Sequence, residues 1–232
     1  MDWVWSHLGD IGDMTFDHIE LSVPPIVIGF LVSIPIGYWA SRSPVARSVL
    51  LTIGNILYTI PALALVVLVP VLLGLSLLNP LNVIAALTLY ALAIMVRSAA
   101  DAFASVSTDV RQSATAQGYS AAQRFLRVEL PLAGPVLLAG IRVVSVSTIS
   151  LVTIGALVGI PSLGSFFTDA FQRDFFLEAL VGFVLVLLLA AVFDVVLSLI
   201  GAALMPWNRG SRLSAASARV LSQPQPNTAA VR

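Results

Sequence analysis

Residues 48–96 read SVLLTIGNILYTIPALALVVLVPVLLGLSLLNPLNVIAALTLYALAIMV, without one charged side chain. A bilayer core about 30 Å thick needs about 20 apolar residues as helix. The run is therefore too long for one crossing and too apolar to coat a soluble domain. It divides at Leu78-Asn79-Pro80, where a turn former meets a helix breaker. We read spans over 49–76 and 81–97. Outward from it, the uncharged stretch Leu21 to Ser41 gives a first span, with Pro35 and Gly37 near its end. Beyond a polar stretch at 98–131, further spans occupy 133–158 and 179–205. The expected fold is an all-α membrane protein of about five transmembrane helices.

Composition agrees with lipid as the main solvent. The chain is 58% hydrophobic and 10% charged, whereas a soluble domain is about a quarter charged. There is no cysteine, which excludes disulfides and thiolate metal sites. The two histidines, His7 and His18, both lie near the N-terminus, so no histidine cluster for a metal enzyme is expected. All twelve basic residues are arginine. Without a lysine there is no phosphate-binding loop of the nucleotide-hydrolase type. No catalytic residue, metal site, bound cofactor or nucleic-acid surface is expected on this chain.

The arginines set the orientation. An outside N-terminus places Arg42, Arg47, Arg97, Arg111, Arg124, Arg127 and the four arginines from Arg209 onward in the cytoplasm, and only Arg173 clearly outside. We expect the N-terminus outside and the C-terminus cytoplasmic. Residues 1–20 hold five acidic residues and no arginine, the reverse of a signal peptide's basic start. They read as an extracytoplasmic segment ahead of a transmembrane domain at 21–205. Residues 206–232, rich in Ser, Ala, Pro, Gln and Asn, read as a flexible cytoplasmic tail.

The polar stretch 98–131 is built like a docking hairpin. Asp109 is a candidate helix cap, and Ser120-Ala121-Ala122-Gln123 matches a capping box. Gly118 lies between them, free to take the positive φ that ends a helix. Pro131 is expected to stop the second short helix before the next span. Ala114, Ala116, Ala121 and Ala122 keep the surface narrow, while Phe125, Leu126 and Val128 supply apolar anchors for a partner.

Gln112-Ser113-Ala114, three residues, Gly118, nine residues, Val128, one residue and Leu130-Pro131 resemble the EAA loop of permease subunits from binding-protein-dependent ABC importers. That loop reads E-A-A-x3-G-x9-I-x-L-P. Here Gln112 replaces the glutamate, Ser113 the first alanine and Val128 the isoleucine, so position 112 keeps only a neutral hydrogen bond. Tyr58-Thr59-Ile60-Pro61-Ala62-Leu63, Leu89-Tyr90-Ala91-Leu92 with Arg97, and Ala156-Leu157-Val158-Gly159 through Gly164 resemble segments of the permeases for glycine betaine, carnitine and choline. The resemblance covers roughly residues 20–205. It implies a type I importer permease of the MetI-like fold, belonging to the osmoprotectant branch. It also implies a second permease subunit, identical or homologous, two cytoplasmic ATPase subunits, and an extracytoplasmic solute-binding protein. ATP and magnesium would reside in the ATPase subunits. Gln112, Ser113, Ala114, Gly118, Phe125, Val128, Leu130 and Pro131 would couple to them. The cargo implied is glycine betaine, choline, carnitine or proline. A methionine-type amino-acid permease is the nearest alternative, and a stand-alone secondary transporter a more distant one.

Two further groups are candidates. Asn55, Tyr58, Thr59 and Pro61 form a polar, helix-loosening part of the second span; they either pack against neighbouring helices or line the pathway. Tyr58 and Pro61, three apart, would share a helix face. Asp194 is the acidic residue deep in the last apolar run, and a structural pairing with Arg142 or Arg97, or a partner-subunit contact, is preferred to a direct pathway role.

Overall fold

The computed structural model describes residues 2–207, and every regular element in it is helical. In order these are α1 (Asp2–Ser6), α2 (Leu8–Ala40), α3 (Pro44–Thr59), α4 (Ala62–Leu73), α5 (Pro80–Ala104), α6 (Thr108–Ala116), α7 (Ala121–Arg124), a π-helical turn (Phe125–Glu129), α8 (Leu130–Val152), a 3-10 turn (Thr153–Val158), α9 (Ser165–Arg173) and α10 (Phe176–Leu204). The tail expected over 206–232 lies outside the described residues from 208 onward.

Close approach fixes the direction of the first crossings. A Cβ built on Gly29 would stand 2.6 Å from the Ala91 Cβ, and one on Gly37 would stand 2.4 Å from the Ala99 Cβ. Both numbers rise together, so α2 and α5 run parallel, with backbones as close as small residues allow. The chain must therefore return across the membrane between them. It does so along α3, which is antiparallel to α5: Arg47 pairs with Asp101 at 2.5 Å, the Arg97 Nη2 donates to Asn55 Oδ1 at 2.7 Å, and the Tyr58 and Tyr90 rings meet edge to face at 5.9 Å. By the same test α8 runs against α5, with Gly140 facing Ser98 and Gly155 facing Val83, and α10 runs against α8. Four helices are long and apolar enough to cross alone, and the bent α3–α4 pair, counted as one span, brings the number to five.

The second span departs from expectation. Instead of one helix over 49–76, α3 and α4 meet at an angle of 103°. Pro61 has no N–H to continue α3, and its ring forces the residue before it out of helical space. Ile60 accordingly sits at φ −67°, ψ 130°. Pro61 therefore does not share a helix face with Tyr58, since α3 ends between them. The Tyr90 hydroxyl donates to the freed Ile60 carbonyl. Polar backbone without such a partner is expensive in lipid.

α5 is the axis of the core. At one end Val83 and Leu87 pack with Leu21, Val66, Val69 and Ile160. Towards the other, Met95 and Phe103 pack with Val106, Leu137 and Val144. A third cluster joins α8, α9 and α10 through Ile149, Phe166 and Leu189. Three further elements exceed the sequence reading. α2 begins at Leu8, well before the apolar run, because fully buried His18 docks that extension by donating from Nε2 to the Ile149 carbonyl at 2.9 Å. α5 continues to Ala104, shortening the polar connection. α9 is a short amphipathic helix before the last span.

Candidate functional site

The polar connection folds as a hairpin of two helices at the end of the bundle that holds Arg42 and Arg47. Ser107, not Asp109, caps α6, accepting from the Val110 N–H at 3.3 Å; Asp109 sits within the first turn. Gly118 takes φ +85°, and the Tyr119 N–H returns to the Ala114 carbonyl at 3.2 Å. Ser120 and Gln123 complete the capping box, with the Gln123 N–H donating to Ser120 Oγ at 3.3 Å and the Ser120 N–H to Gln123 Oε1 at 3.0 Å. A Cβ at Gly118 would meet nothing within 4 Å, so the turn itself is open while its backbone still favours glycine.

Pro131 does not end a helix here. α7, the π-helical turn, α8 and the 3-10 turn follow one another without a break from Ala121 to Val158. The Leu130 N–H reaches back to the Phe125 carbonyl, widening the helix one turn before the proline. That widening accommodates Pro131's missing donor and its bulky ring without a break.

The hairpin's candidate residues divide into two sets. Gln112, Ser113 and Gly118 are exposed, as is Leu126. Ala114 is buried, and Phe125 turns inward, stacking edge to face on Tyr38 at 4.7 Å beside Phe103. Val128, Leu130 and Pro131 are partly buried along the start of α8. Phe125 thus spends its ring on its own subunit rather than holding it out as an anchor.

Glu129, which sequence reasoning passed over, is the residue that organises this end. Its carboxylate is 0% exposed and accepts from two arginines: Arg42 Nη2 at the end of α2, and Arg124 Nε at 2.9 Å. Arg124 also donates to Thr115 Oγ1 at 2.8 Å, reaching α6, and Arg42 donates to the Tyr38 hydroxyl at 2.9 Å. One buried carboxylate thus joins the first span, both hairpin helices and the fourth span. A lone acidic residue beside an apolar run rich in nearby arginines was the available signal. Ser41, Arg42, Thr108, Arg111, Gln112 and Arg124 rim a basic cleft of about 660 Å³ at the same end.

Deeper in the membrane, Arg142 and Asp194 form a two-pronged pair. Nε donates to Oδ1 and Nη2 to Oδ2, each at 2.6 Å. Arg97, the other partner considered, is taken by Asn55. Asn55, Tyr58 and Thr59 all lie on exposed parts of α3, and the Thr59 hydroxyl donates to the Asn55 carbonyl at 2.8 Å. Among the described residues no group of His, Asp and Glu could hold a metal ion.

Comparison with known proteins agrees with this architecture. Residues 29–210 match the family described as binding-protein-dependent transport system inner membrane component. The chain is 29% identical to the choline transport system permease protein OpuBB of Bacillus subtilis, over 85% of this chain and 90% of that protein. It is 40% identical to the ergothioneine transport permease/ergothioneine binding protein EgtU of Helicobacter pylori, over 59% of this chain and 25% of that longer protein. In fold it is similar to an inward-facing structure of the MetNI methionine ABC transporter, with TM-score 0.71, 20% identity, and coverage of 83% of this chain and 94% of that one. This chain, a multi-pass protein of the bacterial plasma membrane, belongs to the family of binding-protein-dependent transport system inner membrane components.

Proposed function

We propose that this chain is the permease subunit of an ATP-driven importer for a compatible solute bearing a quaternary ammonium group, such as glycine betaine, choline or carnitine. The observation that carries the mechanism is the hairpin at 108–130. Its open face bears Gln112, Ser113 and the Gly118 turn, while Glu129 clamps its inner face to the bundle. A cytoplasmic ATPase subunit docking on that face would move α7 and α8 together as it closes on ATP. Two such ATPase subunits, a second permease and an extracytoplasmic binding protein complete the assembly, with ATP and magnesium held by the ATPase. This requires the N-terminus outside and the hairpin in the cytoplasm, as the arginine distribution favours.

The cargo reading draws on the relatives. Choline and ergothioneine, named for the two relatives above, share a trimethylammonium group. The likeness to the methionine importer is one of fold alone. Uptake of labelled glycine betaine, choline, carnitine, proline and methionine into cells lacking this gene tests the proposal. Restoration of a quaternary ammonium solute, with an ATPase subunit co-purifying on the chain, is the expected result. Restoration of methionine alone, or transport by the chain without an ATPase, would overturn it.

A further inference from the structure

The Arg142–Asp194 pair is in an unusual place. At 1.5 Å per residue, Arg142 lies ~18 Å along α8 from Leu130 and ~15 Å from Val152, and Asp194 lies ~15 Å from the end of α10. Both are at hydrocarbon depth. The other ion pairs among the described residues, Arg42–Glu129, Arg124–Glu129 and Arg47–Asp101, gather at the hairpin end of the bundle. Yet the side chains of Arg142 and Asp194 remain 38% and 32% exposed, facing out of their own subunit.

That exposure cannot be to lipid without a heavy penalty, since charged side chains near the centre of a membrane helix are costly to leave in hydrocarbon. Snorkelling offers no escape, because the fork to Asp194 fixes the guanidinium at this depth. A dry protein cover fares little better. The fork uses Nε and one Nη, leaving the N–H donors of Nη1, and an apolar helix laid over them would bury them without acceptors. Beside the pair an open cleft of about 400 Å³ is lined by Ala139, Arg142, Val143, Val146, Ser147 and Asp194. Ala139 and Ser147 are small enough to leave the charges reachable from it.

We propose that this cleft opens onto the aqueous translocation pathway and that the pair is a weak site for the zwitterion of the cargo. The solute carboxylate takes the free donors of Arg142, and its quaternary ammonium lies against the outer edge of Asp194. The arrangement favours a solute carrying both charges over one carrying only the cation. It deepens, and depends on, the importer function proposed above.

The absence of native cysteine makes the test direct. Ser147→Cys is introduced into the chain assembled with its ATPase in membranes. It is then treated with a membrane-impermeant quaternary ammonium methanethiosulfonate, with and without glycine betaine at millimolar concentration. The expected result is modification that glycine betaine slows several-fold. In a second chain that also carries Arg142→Gln and Asp194→Asn, modification should persist and the protection should vanish. A Ser147→Cys chain that resists the reagent, or reacts equally with and without solute, overturns the proposal, as does protection that survives loss of the pair. Uptake by the native chain is measured alongside. Normal uptake with an unreactive Ser147→Cys sinks this site alone, whereas absent uptake of every quaternary ammonium solute sinks the importer reading itself.

Discussion

The Tyr90 hydroxyl on α5 donates a hydrogen bond to the carbonyl oxygen of Ile60, the residue at which the second span breaks. The bend of 103° would otherwise leave that carbonyl without a helical partner. Tyr90 is itself buried and meets Tyr58 edge to face, so the break is held by the third span. Tyr90→Phe removes the donor and keeps the ring. A buried acceptor left unsatisfied costs about 1–3 kcal/mol. We expect a lowered melting temperature for the purified complex in nanodiscs, with the chain still inserted. An unchanged melting curve would show that water or lipid headgroups reach Ile60.

Glu129→Gln tests the hub beneath the hairpin. The substitution keeps the shape and removes the charge that Arg42 and Arg124 share. Both arginines retain some access to solvent, so the cost is set nearer 1–3 kcal/mol than the larger values of fully buried pairs. The expected outcome is normal insertion with ATP hydrolysis poorly linked to uptake, read as fewer solute molecules carried per ATP. Equal ratios in variant and native complexes would contradict the role given to Glu129.

Gly118 separates backbone from surface. Its φ of +85° is strained for most residues, by roughly 1–2 kcal/mol, but asparagine tolerates it. Gly118→Asp should leave insertion intact and abolish uptake, by placing a charge on the open turn. Gly118→Asn should keep more uptake than Gly118→Val. Normal uptake with Gly118→Asp would remove the turn from the docking face.

The parallel packing of α2 on α5 makes a paired prediction. At Gly29 the nearest obstacle to a Cβ is the Ala91 Cβ, whereas at Gly37 backbone atoms of Ala99 and Ala100 also stand 2.8 Å away. Gly29→Ala should therefore lower stability and be rescued by Ala91→Gly. Gly37→Ala should be destabilising too, with Ala99→Gly restoring little. Thermal melts of the four chains decide it; full rescue at both positions would mean the helices separate more easily than their contacts imply.

Spans were legible because lipid imposes long apolar runs, and the hairpin was legible because Gly118 and the Ser120–Gln123 box are local signals. The break at Pro61 was visible as a helix-loosening residue, but Tyr90, which satisfies the freed Ile60 carbonyl, lies thirty positions away from it in sequence. Glu129 was missed for a related reason. Its role comes from Arg42, which only folding brings near. Phe125 looked like an anchor because apolarity does not reveal direction, and its neighbours Tyr38 and Phe103 lie on other helices. Pro131 looked like a stop because a π-turn leaves no plain mark in sequence.

The helix that runs unbroken from Ala121 to Val158 joins two places treated separately above. Its first turn belongs to the hairpin, and Arg142 lies on it, ~32 Å further along at 1.5 Å per residue. In the importer proposed above, a tilt imposed at Ala121 and carried past the π-helical turn would reach Arg142 as a sideways shift, while Asp194 stays on α10. If the proposed ATPase docks on the hairpin, the fork between them would then be stretched or reclosed with each of its cycles, so that motion at the hairpin reads out as grip or release in mid-membrane.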